Sequence, residues 1–222
     1  MTASYKTRRV VVTGLGAITP CGNTVDSTWD AMLNAKVGVG PLTRFSVDGW
    51  PVHVAGEVKG FDPKAVIGRE HRRMDLFTQY AVAASEEAFS EAGLVKGAID
   101  TDRFGVWIGS GIGGIETVVN GQAGLDESGY RGVSPFFIPK LLGNMAGGAV
   151  AIRLGAKGPN VCVATACASG SHALGEAFYA IKAGGVDIAI AGGAEAALVP
   201  VGVAGFLVMK ALTRSTEITA SR

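Results

Sequence analysis

The sequence has little with which to build covalent or metal staples. It holds 3 cysteines and 3 histidines in 222 residues. A small, odd set of cysteines does not make a disulfide scaffold and suits a reducing compartment, the cytoplasm. If residues 160–166 form a strand, Cys162 and Cys167 lie roughly 16 Å apart, beyond the about 7 Å a disulfide tolerates. No C-x-x-C and no histidine pair has zinc spacing, so no metal is expected. Charge is sparse and balanced: 18% of residues are charged, and 20 Lys+Arg against 19 Asp+Glu leave +1. That excludes the basic field of a bulk nucleic-acid binder. Long apolar runs are missing too. The longest uncharged stretch, 196–209, has 14 residues and contains Pro200, while a membrane span needs about 20. The opening MTASYKTRRVVVTG lacks the apolar core of a signal peptide. No membrane or nucleic-acid partner is expected.

What is abundant is glycine, 33 of 222 residues, about double the usual ~7%. With 48% hydrophobic residues, the chain is not disordered. Glycine at this level points to tight turns and close backbone approaches. No repeat and no low-complexity linker interrupts residues 1–222, which read as one unit.

Strands alternate with helices. Residues 9–13 (RVVVT) predict a short buried strand and 53–58 an edge strand. Residues 24–34 predict a helix with Asn23 as cap. The clearest helix is 72–92, where Phe77, Tyr80, Ala81, Ala84 and Ala88 recur at three and four before Gly93. Strands follow at 104–108, 160–166 and 186–191. Helices follow at 141–154 and 169–183, and 196–212 is partly helical. Residues 120–134 read as a polar, glycine-rich loop, and 213–222 as a polar tail. Apolar strands linked through helices imply an α/β fold, a mixed, mainly parallel sheet with helices on both faces.

Gly109-Ser-Gly111-Ile-Gly113-Gly114 follows a strand and satisfies G-x-G-x-x-G. A dinucleotide site also needs a second strand ending in an acidic residue about 20 positions on, and that region reads as the 120–134 loop, so no nucleotide cofactor is expected. The informative segment is Asn160-Val-Cys-Val-Ala-Thr-Ala-Cys167-Ala-Ser-Gly-Ser-His172. A strand runs into a helix with Cys167 at the turn. Unpaired N–H groups at a helix start favour an anion, which for a thiol means the nucleophilic thiolate. Small residues after it leave room for a carbonyl, and the Cys167 N–H could serve an oxyanion. A buried, inert cysteine remains the other reading on these residues alone. His172 is five residues on, and its side chain diverges by about 140° on a helix, which fits a structural histidine. Arg69, Arg72 and Arg73 sit at the start of the predicted 72–92 helix, where positive charge opposes the dipole. They are either a solvated face or a docking patch for an anionic partner.

RVVVTGLGAITPCG, RRMDLFTQYA, GSGIGG, SPFFIP, GPNVCVATACASGSHALGEA and AGGAEA occur in that order. Together they resemble the β-ketoacyl-acyl carrier protein synthases, synthase II most of all, over nearly the whole chain. The resemblance implies a thiolase-like fold built from two related α/β halves, of which residues 1–222 match the N-terminal half. It implies acyl transfer to a cysteine, then decarboxylative condensation with malonyl-acyl carrier protein in fatty-acid biosynthesis. Cys167 matches the nucleophile. Ile112, Ala166, Gly202 and Phe206 match the acyl pocket, with Phe137 reaching in from a second subunit. Arg69, Arg72, Arg73, Arg131 and Lys210 match the face that docks acyl carrier protein. Family members carry two histidines, a lysine and a Gly-Phe-Gly-Gly loop in their second half, and nothing in this chain matches them. The chain alone is therefore not expected to complete condensation. Expected partners are acyl carrier protein and a homodimer mate or a chain supplying the C-terminal half. The alternative is a non-catalytic chain-length subunit, which typically lacks the nucleophile. A coenzyme A-dependent thiolase is a more distant option.

Overall fold

A computed structural model describes residues 8–218. The first seven residues of the opening MTASYKTRRVVVTG and the last four of the expected 213–222 tail lie outside the described residues.

The core is a three-stranded parallel sheet in the order β4 (Asn160–Val163), β3 (Phe104–Gly109), β5 (Ile188–Gly193). Its central strand β3 is buried along its whole length. Period-two alternation then sorts its side chains onto two faces. Phe104, Val106 and Ile108 face helices α3 (Leu76–Glu91) and α6 (Met145–Leu154), packing with Phe77, Val82, Phe89, Ala146 and Val150. Trp107 points the other way, against Ala173 and Ala177 of α7 (Ser169–Lys182) and Val186. Each large side chain buried here contributes about 1.5–3 kcal/mol. Helices thus cover both faces, as the alternating pattern implied. A minor antiparallel pair, β1 (Gly40–Pro41) and β2 (Val54–Ala55), is all that forms of the edge strand expected at 53–58.

Several expectations need correction. Residues 9–13 form no strand; Val11 and Val12 are 59% and 79% exposed. The segment is anchored at both ends and held off the sheet. Arg8 pairs with Asp187 at the start of the β5 segment. Ala17 N–H donates to Glu87 at 2.9 Å, and Leu15 N–H donates to Glu91, both on α3. Gly14 and Gly16 lie so close that a Cβ would stand 2.1 and 1.8 Å from the Ala88 and Ala84 carbonyl oxygens. Between these anchors and β5 lies a cleft of about 920 Å³, lined by small side chains such as Ala84, Ala88, Ala177 and Ala191. β-Branched residues favour a strand, but with this cleft between them and β5, residues 9–13 join no described sheet.

The expected loop 120–134 is instead mostly helix α4 (Ile115–Ser128). Its glycines give clearance rather than turns: a Cβ at Gly121 would meet the Phe137 ring at 2.3 Å, and one at Gly124 the Gly132 carbonyl at 2.4 Å. The expected 72–92 helix starts later, at Leu76, with Asp75 as N-cap. Buried Asp75 also accepts the Thr117 N–H at 3.0 Å and its hydroxyl at 2.5 Å, tying α3 to α4. Arg69, Arg72 and Arg73 lie in a separate 3-10 turn, Gly68–Arg73, so they do not oppose the α3 dipole. Before it comes the short α2 (Pro63–Ile67). Finally, α1 (Val25–Leu33) is capped by Thr24 in a capping box with Ser27, not by Asn23. The helix expected at 141–154 starts at Met145 as α6, after the short α5 (Phe137–Leu141), and α8 (Pro200–Val208) follows later in the chain.

Candidate active site

Cys167 stands on the turn between β4 and α7, exposed and unbonded to another sulfur. Gly109 makes the turn's position possible. A Cβ there would lie 2.4 Å from the Ser169 carbonyl oxygen, so only glycine lets the first turn of α7 settle on the end of β3. Buried Ser169 staples the turn: its hydroxyl accepts the Thr165 N–H at 2.8 Å and donates to the Ala166 carbonyl at 2.6 Å. Ala166, directly before Cys167, has φ of 52°. This left-handed conformation costs a non-glycine residue roughly 1–2 kcal/mol, and such strain gathers at functional sites. A short strained turn holds the thiol out at the strand end while the helix begins behind it.

The other cysteines have different settings. Burial pushes the Cys162 thiol up from its ordinary range, against a lowering contribution from the Ser110 N–H. His172 comes back to the turn, its Nδ1 2.7 Å from the Thr165 hydroxyl. That satisfied contact matches the structural role expected of it.

The loop after β3 closes on the same corner. Ser110 N–H donates to Val163 at the end of β4, at 3.1 Å. Glu195, just past β5, accepts the Gly111 and Ile112 N–H groups at 2.8 and 3.0 Å. Those N–H groups are thus taken. Glu195 and Ser169 were not singled out from the sequence. Their only signal is their place inside the AGGAEA and TACASG motifs.

The structure brings Ile112 and Ala166 to this corner through Gly111, where a Cβ would be 3.5 Å from the Ala166 Cα. Gly202 is buried on α8, and Phe206 is 39% exposed further along it. Phe137 begins α5 and packs on Gly121. None of these five residues, and not Cys167, lines the 920 Å³ cleft. Among the basic residues, Arg73 lies over the Phe136 ring at 5.4 Å and pairs with Glu70 at 3.5 Å. Arg131 lies over Tyr130 at 5.6 Å, in the turn after α4, and Lys210 is exposed after α8 with φ of 60°. No direct contact joins the two groups among those described. Among the described residues no cluster of three or more His, Cys, Asp or Glu could hold a metal. No helix there is long and apolar enough to cross a membrane.

A parallel sheet sandwiched by helices, with an exposed cysteine on a strained strand-to-helix turn, is a thiolase-like α/β arrangement. The profile of the family "Beta-ketoacyl synthase, N-terminal domain" matches residues 7–222. The chain belongs to that family. A 3-oxoacyl-[acyl-carrier-protein] synthase 2 of Staphylococcus aureus (strain COL) is 46% identical over 217 residues, 97% of this chain and 52% of that protein. The solved ishigamide ketosynthase/chain length factor superposes with a TM-score of 0.86 at 28% identity, over 94% of this chain and 52% of its own. A type II polyketide ketosynthase, solved in complex with its acyl-carrier protein and bound to the hexaketide, reaches 0.80 at 30% identity, over 96% and 51%. The chain spans about half the length of these relatives.

Proposed function

We propose that residues 1–222 are the N-terminal half of a β-ketoacyl-acyl carrier protein synthase of fatty-acid biosynthesis. Cys167 is its acyl acceptor. The observation that carries this is the exposed Cys167 on the Ala166 turn, stapled by Ser169 and seated on Gly109. The Cys167 sulfur attacks the thioester carbonyl of an acyl carrier protein. The tetrahedral oxyanion collapses, the carrier thiol leaves with a proton, and the acyl chain stays on Cys167. In the second step malonyl-acyl carrier protein loses carbon dioxide, and the resulting enolate attacks the Cys167 thioester, freeing the thiol.

That second step needs groups to stabilise an enolate, and this chain presents no match for them. They come from polypeptide outside residues 1–222 or from a partner chain. Two structural features support a missing half. One is the cleft between residues 10–13 and β5. The other is the exposed apolar α8, where Val208 and Met209 are 79% and 71% exposed. A homodimer is supported by β4, which is an edge strand with an exposed face beside the nucleophile turn; unprotected edges invite pairing. Ile112, Phe137, Ala166, Gly202 and Phe206 form the acyl pocket. Arg69, Arg72, Arg73, Arg131 and Lys210 receive the carrier protein. The site of action is the cytoplasm. The retained Cys167 argues against a non-catalytic chain-length subunit.

The test is to incubate the protein with acyl-acyl carrier protein and map thioesters by mass spectrometry. Acylation at Cys167 is expected. Adducts at Cys21 or Cys162 with Cys167 untouched would overturn the proposal.

A further inference from the structure

The end of β3, the nucleophile turn and the end of β5 meet at one backbone position, Gly111. A Cβ there would lie 2.9 Å from Glu195 Oε2 on one side and 3.5 Å from the Ala166 Cα on the other. The Glu195 carboxylate bonds across that meeting. Its Oε2 accepts both the Gly111 and Ile112 N–H groups, and its Oε1 accepts the Ser110 hydroxyl at 3.3 Å. Buried Ser110 in turn accepts the Gly113 N–H at 3.0 Å. All four residues of the 110–113 turn are thereby fixed, directly or through one hydroxyl, by a single carboxylate. The base of Glu195 is fixed as well, because Ala194 N–H donates to the Gly109 carbonyl at 3.0 Å.

We infer that Glu195 is a positioning residue for acyl-chain selection. It acts through Gly111 and Ile112 to hold the Ile112 side chain beside the Ala166–Cys167 turn. The inference rests on the acylation reading of Cys167. The physical argument is one of acceptors. A turn with successive N–H groups aimed the same way is not stable unless an anion or oxygen takes them, and no backbone carbonyl does so here. Without Glu195 the two N–H groups, on exposed residues, bond to water instead, the turn loses the one carboxylate that fixes it, and Ile112 moves with it. An alkyl chain is sensitive to that displacement, because its recognition is packing against side chains of fixed position. A small reagent that touches only the sulfur is not.

The conservative variant separates positioning from charge. Glutamine can turn its oxygen to the two N–H groups and its NH2 to Ser110, whose hydroxyl oxygen has a second lone pair free for it. Alanine can do neither.

The experiment uses the protein at its natural length, as wild type, E195A and E195Q. Cys167 is alkylated with iodoacetamide and, separately, with N-dodecyl iodoacetamide, and the ratio of the two rates is read by peptide mapping. Hydrogen exchange at Gly111 and Ile112 is measured alongside. In E195A the long-to-short ratio is expected to fall at least about fivefold, the scale of one net hydrogen bond. Exchange at both amides accelerates, and E195Q returns the ratio to near wild type. A wild-type ratio in E195A overturns the inference. So does an equal fall of both rates with loss of the folded circular dichroism signal, which makes Glu195 merely structural. A wild-type Cys167 that reacts with neither probe instead overturns the acylation reading itself.

Discussion

His172 and Thr165 stand on either side of Cys167 in sequence and meet behind it, Nδ1 to Oγ1 at 2.7 Å. The contact ties the first turn of α7 to the strand end, and it occupies the ring nitrogen that faces the turn. His172 is therefore a brace. Replacing it with alanine should cost about 1 kcal/mol of stability. Cys167 alkylation should slow far less than the about 10²–10⁴-fold expected on losing a general base. A loss in that larger range would make His172 the base instead.

The three free thiols should not react alike. Burial raises the Cys162 pKa, outweighing the opposing Ser110 N–H. A raised pKa means less thiolate at any given pH, and the thiolate is the nucleophile. Exposed Cys167 should therefore be labelled before Cys162. Labelling of Cys162 should rise only as pH climbs above the ordinary thiol range, about 8.5. Time-resolved mapping across pH checks this; preferential labelling of Cys162 near neutrality would contradict it.

The legibility of the sequence divides along physical lines. Cys167 is legible because a β-branched run, a cysteine and small residues make a strand-to-helix corner. β3 and α7 are legible from the same periodicities. Residues 9–13 are not, because Val10–Val12 report a preference for strand while pairing depends on a backbone elsewhere. Helix α4 is hidden because Gly121 and Gly124 read as turn residues, when their service is to admit Phe137 and the Gly132 backbone. The α3 start is misplaced because apolar spacing does not reveal that Asp75, bound to Thr117, is the cap. Glu195 escapes notice since its partners are backbone N–H groups 83 and 84 residues away.

Asp187 gathers Arg103 and Arg8 at the foot of the sheet. Arg103 Nε lies 2.5 Å from its Oδ2, and Arg103 also reaches the Gly184 carbonyl at 2.8 Å. The Arg103 hydrogen bonds first, then that of Arg8, hold the Asp187 carboxyl well below the usual carboxylate range. A depressed folded pKa contributes stability that is fully present above the unfolded value, about 3.9, and is lost as pH falls below it. Asp187→Asn should therefore lower the unfolding midpoint at neutral pH, with a gap to wild type that narrows in acid. A gap that is constant with pH would sink the assignment.

Ile112 offers a direct probe of the proposed acyl pocket. It is 44% exposed near the Ala166–Cys167 turn and anchored through its N–H to Glu195. A larger ring there extends into space next to Cys167 without invading a packed core. Ile112→Phe, in the protein at natural length, should keep its unfolding midpoint and shift acylation toward shorter chains. One methylene of lost fit is worth about 1–3 kcal/mol in an apolar pocket, or tenfold or more in relative rate. Unchanged chain preference at wild-type stability would remove Ile112 from the pocket.

The arginines of the 3-10 turn lead to the last prediction. Arg69, Arg72 and Arg73 are all exposed, and among the described residues only Arg73 has an ion-pair partner, Glu70, at 3.5 Å. Exposed pairs of this kind contribute about 0–1 kcal/mol, so the fold does not depend on these charges. The Arg73 guanidinium rests on Phe136, one residue before Phe137 of the proposed pocket, so the proposed docking face lies close to that pocket. Charge on an acidic carrier would be steered here, and steering acts on the association rate and is screened within about 8 Å at physiological salt. Reversing Arg72 and Arg73 to glutamate should leave stability nearly unchanged and slow acylation of Cys167 by acyl-acyl carrier protein. The slowing should be greatest at low salt and fade as salt rises. Alkylation of Cys167 by iodoacetamide should not follow it. If both reactions fall together the arginines are structural, and if neither falls they are a solvated face with no carrier to receive.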